Sequence, residues 1–560
     1  MSRSPLFHLV ARSLRLARLS LRTGLPADEL VERLRDRTPP PGASGLLDAA
    51  GRPLSRRQFV AAGAALAGVA ALDGCVPAAP SGRAPAPRPD GGRPVVVVGA
   101  GIAGLTAAYR LRQAGVPVRL FEAQERIGGR MFSHRGAFPD GQVVELGGEL
   151  IDTGHARIRA LAAELGLELD DLAADDPALA RDVWWFGGRR RTDAEVVAAF
   201  RPVAAAIDRD RAALGGDGDV TYDRPNDGEA LDRLSIAEWL DRNDVTGWVR
   251  ALLEVGYTTE FGLEPDQQSA LNLLTMIGTD ADEFRIFGES DERFHVRGGN
   301  DRITSTLGDR LGPVVERGHV LESVAARADG SYVCTFARDA AAVSVAADHV
   351  LLALPFTLLR DVRLDVALPP VKRQAIAELG YGTNAKLMVG FSERVWRTRH
   401  GSNGSSLAEL PYQLTWETSR LQPGRAGVLT NFTGGRHGEA LGDGTPAAQA
   451  AALVDALERV FPGVGAARAG MAEARFHWPT HPWTRGSYAS YLPGQWTAFR
   501  GAEGVPVDNL FFAGEHCSLE AQGFMEGGCE TGEQAAAAIL ERRGLRRTGA
   551  ARGAPRRLVA

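Results

Sequence analysis

The stretch Val95–Arg130, VVVVGAGIAGLTAAYRLRQAGVPVRLFEAQERIGGR, decides the fold. Four valines predict a short buried strand, and Gly99, Gly101 and Gly104 follow it as G-x-G-x-x-G. A helical run to Ala114 stops at Gly115, and a second strand, Val118–Phe121, delivers Glu122 at its end. Strand, glycine turn, helix, strand and acid in that order make a dinucleotide-binding βαβ unit. Gly99 permits the tight turn, Gly101 (with Ala100 and Ala103 beside it) lets backbone approach a pyrophosphate, and Gly104 lets helix and strand pack closely. The helix N-terminus offers free N–H groups and partial positive charge to phosphates. Glu122 offers a carboxylate to a ribose. Without the strand before it and the acid after it, the glycine pattern would be no more than a flexible turn.

A chain of 560 residues is too long for one hydrophobic core, so two domains are expected. A net charge of −5 argues against a nucleic-acid partner, which would call for a basic chain. Arginine crowds both ends, Arg3–Arg57 and Arg542–Arg557, as solvated tails do. Only two of the 64 basic residues are lysines, Lys372 and Lys386. Cys75, Cys334, Cys517 and Cys529 show neither zinc-ligand nor disulfide-framework spacing, so no metal is implied.

Beyond Glu122 the chain reads E-A-Q-E-R-I-G-G-R, through Ala123, Arg126, Gly129 and Arg130. This resembles the E-A-x-x-R-x-G-G-R signature of the flavin amine oxidase superfamily, which holds monoamine, polyamine and L-amino-acid oxidases and related desaturases. Two later stretches resemble the same family. Val143–Asp152 carries an apolar–acid–x–Gly–Gly strand and loop with Gly147, Gly148, Glu149 and Leu150. Asn509–His516 leads through Gly514 and Glu515 to Gly523-Phe524-Met525-Glu526-Gly527. The fold this implies is α/β: a two-domain, FAD-binding Rossmann-like protein of the amine oxidase type, with an interleaved α+β substrate domain.

The resemblance implies FAD as cofactor and places these segments against it. The double glycine and Arg130 follow the pyrophosphate, Glu515 meets the ribityl region, and Met525 and Glu526 open a helix aimed at the flavin ring. Val296–Asn300 matches the turn back into the FAD domain, and Val324 the residue that touches the adenine half. Trp483-Thr-Arg-Gly-Ser487-Tyr488 matches a stretch in which animal monoamine oxidases bond a cysteine to the flavin. Ser487 cannot form that thioether, so non-covalent FAD is expected. Tyr488 and Phe524 match the two walls of an aromatic cage that guides an uncharged amine, with ordinary core packing as the rival reading of each ring. Lys386 matches the lysine that holds a water at the flavin. Arginine could not replace it, being a bulky fork that does not titrate.

An L-amino-acid oxidase of this superfamily presents an arginine after the E-L-G motif, where this chain has Glu149. Asp152 stands at the offset of an acid in polyamine oxidases. Glu149 or Asp152 is therefore expected to pair with a distal ammonium, or else to be a structural loop acid. The reaction expected first is oxidative deamination of a mono-, di- or polyamine, a CH–NH2 or CH–NH group, with dioxygen as acceptor and hydrogen peroxide released. An L-amino-acid oxidase comes second, an oxygen-independent flavin dehydrogenase or desaturase third, and a flavin-holding binding protein without turnover fourth.

Ser55-Arg56-Arg57-Gln58-Phe59-Val60 before a mild apolar run resembles a twin-arginine export signal, which implies a translocase as partner and a periplasmic or extracellular address. Leu72-Asp73-Gly74-Cys75 resembles a lipoprotein box, with Asp73 atypical and the acylation of Cys75 left open. A basic amphipathic helix over Leu6–Leu25 and a homodimer are also left open. The expected organisation is extension 1–75, Pro-rich linker 76–94, FAD-domain segments 95–154, 291–350 and 481–545, substrate-domain segments 155–290 (mainly helical) and 351–480, and a basic tail 546–560.

Overall fold

The computed structural model describes residues 92–215, 219–276, 291–339 and 341–545. The twin-arginine motif, Cys75, most of the linker and the basic tail lie outside the described residues. None of the described helices is long and apolar enough to cross a membrane.

The valine run forms the middle of a five-stranded parallel sheet ordered Leu510–Phe512, Val350–Leu352, Val95–Val98, Val118–Phe121, Val315–Glu316. Its strands Val350–Leu352 and Val95–Val98 are apolar on both faces: Val95 and Val97 pack with the helices Ile102–Gln113 and Met525–Arg542, and Val96 and Val98 with Val324 and Phe336 of the antiparallel strands Val320–Ala326 and Tyr332–Arg338. The helix Ile102–Gln113 leaves Gly101 and packs its Ala107, Ala108 and Leu111 into the core. The C-terminal helix Met525–Arg542 lies on it, and small residues let the two approach. A Cβ on Gly532 would stand 2.4 Å from the Ala103 carbonyl oxygen, and one on Gly528 2.6 Å from Ile102 Cγ2.

One expectation is corrected here. Val350–Leu352 belongs to this nucleotide sheet, with Val96 opposite Val350, and not to the substrate-domain sheet, so a domain boundary at 350/351 would cut a strand. A three-residue run buried on both faces looks alike in any sheet, and only its partners settle its place.

The second domain is built on a seven-stranded sheet ordered Glu473–His477, Ala385–Phe391, Gly427–Thr433, Leu414–Glu417, Ser406–Ala408, Val183–Phe186, Arg189–Arg191. Because side chains alternate across a strand, Lys386 and Met388 share a face with their partners Phe432 and Thr430, and with Trp416 opposite Thr430. Leu387, Val389 and Leu429 turn the other way, into a core shared with Leu453 and Leu457 of the helix Pro446–Leu457. The region after residue 155 is mainly helical, as the sequence indicated. Ser235 and Glu238 form the anticipated reciprocal cap of the helix Ile236–Arg242. The hairpin Val183–Arg191 was not anticipated there. It turns on Gly187 and Gly188, both at positive φ, as a two-residue turn requires.

Candidate active site

One cleft of about 1270 Å³, its open mouth included, runs between the domains' shared segments. Its walls include Gly99, Gly101, Ala103, Glu122, Ala123, Gly129, Arg130, Trp483, Gly514, Glu515, Phe524 and Met525. These come from chain positions up to about 430 residues apart, and the sheet topology brings them together.

The glycines divide the work of shaping it. Gly99 holds φ +99°, and a Cβ there would meet the Ala353 carbonyl oxygen at 2.5 Å. A Cβ on Gly104 would lie 1.9 Å from the Gly99 oxygen, whereas Gly101 has nothing within 4 Å. The bare Gly101 backbone therefore faces the cleft while its neighbours are locked. The second glycine loop docks on the first: Gly128 N–H donates to the Ala100 oxygen at 2.8 Å. Glu122 accepts the N–H groups of Ala100 (2.8 Å) and Gln124 (3.0 Å). Burial raises its carboxyl above the usual range against the pull of those donors. Arg130 reaches across to Glu515 (2.6 Å) and the Ser487 carbonyl (2.9 Å). Glu515 also accepts the Gly523 N–H at 2.9 Å. Burial opposes its charge, but Arg130 and the His516 side chain hold it below the usual carboxylate range.

Several residues assigned to the cofactor stand elsewhere. Arg126 uses its guanidinium on the Gly129 (2.7 Å) and Ile127 (3.1 Å) carbonyls and stacks on Phe132, so it braces the glycine loop from behind. Glu526 accepts the N–H groups of Arg157 (3.0 Å) and Ile158 (2.8 Å), capping the helix Ala156–Glu164, whose first turn has no carbonyl partners of its own. Val324 is wholly buried in the strand Val320–Ala326, and the cleft is lined instead by His319, Val320 and Leu321. The register shift between Leu321 and Ser323 means that counting along the strand does not give the exposed position. Gly147 and Gly148 pack behind Arg130 and Met525: Cβ atoms there would meet the Arg130 oxygen at 1.9 Å and the Met525 sulfur at 2.8 Å. Leu150 is buried beside them, and Ala100 packs into the sheet core.

Lys386, Tyr488, Glu149 and Asp152 lie behind the cleft wall. Lys386 Nζ donates to Glu149 at 2.8 Å. Tyr488 donates its hydroxyl to the backbone oxygens of Glu260 and Thr259. Phe524, the N-cap of the C-terminal helix, sets its ring 4.8 Å from that of His155. His155 in turn lies 3.1 Å from Asp152, whose Oδ1 accepts the Glu292 N–H at 2.6 Å. Asp152 and Glu292 thus stand behind Phe524 and the Glu260 backbone behind Tyr488, with the Glu260 charge acting on Glu292. Glu292 is 7% exposed, and its Oε1 has no hydrogen-bond partner among the described residues. Burial, then the charges of Asp152, Glu260 and Glu149, push its carboxyl well up, against the pull of the Arg420 charge. Nothing in the sequence flagged Glu260 or Glu292 beyond a lone acid at the end of the apolar helix Gly247–Phe261.

These residues fit a flavin dinucleotide. A bare glycine backbone opens onto the long cleft, and an acid and an arginine stand along it. Among the described residues no cluster of His, Cys, Asp or Glu could hold a metal ion, and Cys334, Cys517 and Cys529 are free thiols.

Fold and site define a flavin-linked oxidoreductase. The chain belongs to the flavin containing amine oxidoreductase family, whose model matches residues 102–540. It is 27% identical over 469 residues to an L-amino acid dehydrogenase of Synechocystis sp., covering 80% of this chain and 94% of that one. It is 26% identical over 462 residues to the flavin-containing amine oxidase A of Equus caballus, covering 80% and 84%. Among solved structures it resembles cyclohexylamine oxidase from Brevibacterium oxydans IH-35A, with a TM-score of 0.71, 25% identity, and 81% and 99% coverage. A putrescine oxidase shares the fold at a TM-score of 0.69 and 22% identity, over 80% of this chain and 99% of that one. The activity is flavin-dependent oxidation of an amine.

Proposed function

We propose an amine oxidase that holds FAD non-covalently, passes electrons to dioxygen and prefers amines carrying a second positive charge. The observation that carries the preference is Glu292, a buried acid in the charge field of Asp152 and Glu260, with an oxygen that has no hydrogen-bond partner among the described residues. A carboxylate buried beside other acids costs several kcal/mol unless a cation joins it, and a distal ammonium is such a cation. Glu149 has Lys386 already, so Asp152 and its two new companions take the role.

A flavin held along Gly101, Glu122, Arg130 and Glu515 would supply the two-electron acceptor: the amine would give up a hydride and a proton, water would hydrolyse the imine to a carbonyl compound and ammonia, and dioxygen would take the two electrons and two protons to leave as hydrogen peroxide. The chain contributes placement. Phe524, which lines the cleft, would flank the amine and keep water from it, while Tyr488 stands in the wall behind, tied to the Glu260 and Thr259 backbone. The helix Met525–Arg542 directs its positive end at the cleft. Ser487 binds Asn384 through its hydroxyl at 2.7 Å and offers no thiol for a flavin bond.

A second reading, an L-amino-acid dehydrogenase, rests on the cyanobacterial relative and on Arg420 as a carboxylate partner. Anaerobic reduction of the purified protein, read at the flavin band, separates the two. Putrescine and cadaverine are expected to bleach it fastest, cyclohexylamine and tyramine more slowly and L-leucine least. L-Leucine outpacing both diamines would overturn the ranking. Acid precipitation of the same sample is expected to leave all yellow colour in the supernatant. Export by the twin-arginine route, with Cys75 as a lipid site, completes the proposal.

A further inference from the structure

The chain keeps only two lysines, and both are buried: Lys372 and Lys386 are each 2% exposed. Lys386 spends all three protons inside the protein, on Glu149 Oε2 (2.8 Å), the Gly147 carbonyl (2.9 Å) and the Glu145 carbonyl (3.2 Å). Glu149 is satisfied just as fully. Its other oxygen accepts Trp416 Nε1 at 2.7 Å and the Thr418 hydroxyl at 2.6 Å. Both side chains are 3% exposed. Burial alone would raise the Glu149 carboxyl, but Lys386, Thr418 and Trp416 hold it below the usual range.

A pair this well solvated by its neighbours has no need of a substrate ammonium. Nor does stability explain it, because an apolar pair of similar volume commonly serves as well or better. Its position offers a reason. The loop that carries Glu149 is the layer between Lys386 and the cleft, with Gly147 against Arg130 and Gly148 against Met525. Lys386 alone would present one uncompensated charge to that wall. With Glu149 beside it, the wall sees a weak dipole.

We propose that Glu149 is a positioning residue that acts through Lys386, neutralising its charge at the cleft wall and thereby setting the potential of the bound flavin and its rate of reaction with dioxygen. This rests on the reading of the chain as a flavoprotein using dioxygen. Uncovering the cation stabilises the negative charge that builds up during reduction and during electron transfer to oxygen. Removing it does the reverse.

The test compares E149Q, K386M and the E149Q/K386M double variant as flavin-loaded proteins. Two quantities are read: the flavin midpoint potential by anaerobic dye titration, and the reoxidation rate by dioxygen in stopped flow. E149Q is expected to raise the potential and speed reoxidation on the order of tenfold, the scale of one uncompensated charge in a partly polar medium. K386M is expected to lower both. The double variant, neutral on both sides, is expected to return to within about twofold of the wild-type rate, because the two opposite charges leave together. If K386M alone fails to fold around an unpaired Glu149, E149Q against the double variant decides. Unchanged potential in E149Q overturns the proposal, and so does a double variant further from wild type than E149Q, which would make Glu149 a direct contact. A colourless protein, or a yellow one inert to dioxygen, fails the functional reading instead. In the second case the potentials still judge the pair.

Discussion

Glu292 concentrates the chemistry of the site in one residue. Its backbone sits at φ +46°, its N–H is held by Asp152, and its side chain is buried among like charges. The folded carboxyl keeps its proton above the ordinary 4.5, so the folded state binds more protons than the unfolded chain as pH rises past that value. Stability therefore falls with rising pH through that window. Glutamine cannot titrate, so E292Q should match the wild type near pH 4 and exceed it at pH 8, by roughly 1–3 kcal/mol on the scale of an unsatisfied buried group. Putrescine should reverse the order: it should raise the melting temperature of the wild type and leave E292Q nearly unmoved. Equal thermal shifts in the two proteins would remove Glu292 from substrate binding.

At the scale of elements, the contact between the helices Ile102–Gln113 and Met525–Arg542 holds the cleft open at its glycine end. Gly532 makes it possible, because any Cβ there would drive into the Ala103 backbone. Two effects oppose each other in G532A. Alanine gains about 1 kcal/mol of helix propensity, while overpacking against a backbone that cannot move aside costs about 1–3 kcal/mol. The clash should win, because its partner is a carbonyl 2.4 Å away and not a flexible side chain. Urea unfolding is expected to show net destabilisation, with weaker FAD retention on gel filtration. A G532A protein as stable as wild type would mean the helices are free to separate. The same helix caps Ala156–Glu164 through Glu526, so one element fixes both the cleft floor and the entry to the helical region.

Over the whole molecule, the cleft takes its walls from three segments, around residues 98–131, 319–362 and 482–528. No one segment retains a flavin alone, so loading requires a chain already folded through its C-terminal helix. That requirement fits the proposed twin-arginine export, a route that carries folded cargo. The double variant R56K/R57K is expected to accumulate as yellow, active protein in the cytoplasmic fraction, while the wild type appears in the envelope or outside. Wild-type activity confined to the cytoplasm would end the export proposal.

Local sequence alone determined the βαβ unit, because each of its constraints acts within a few residues: the valine strand, the roles of Gly99, Gly101 and Gly104, and the acid at the strand's end. The capped helix at Ser235 was legible for the same reason. Motif likeness brought Arg130, Trp483, Glu515 and Phe524 to one cleft. Tertiary structure decided what spacing does not encode. It placed Val350–Leu352 beside Val95–Val98, turned Arg126 and Glu526 to backbone groups, and moved Glu149 from the substrate to Lys386. A charged side chain takes whichever partner is nearest in space once water is removed, and those partners lie as many as 369 residues away along the chain.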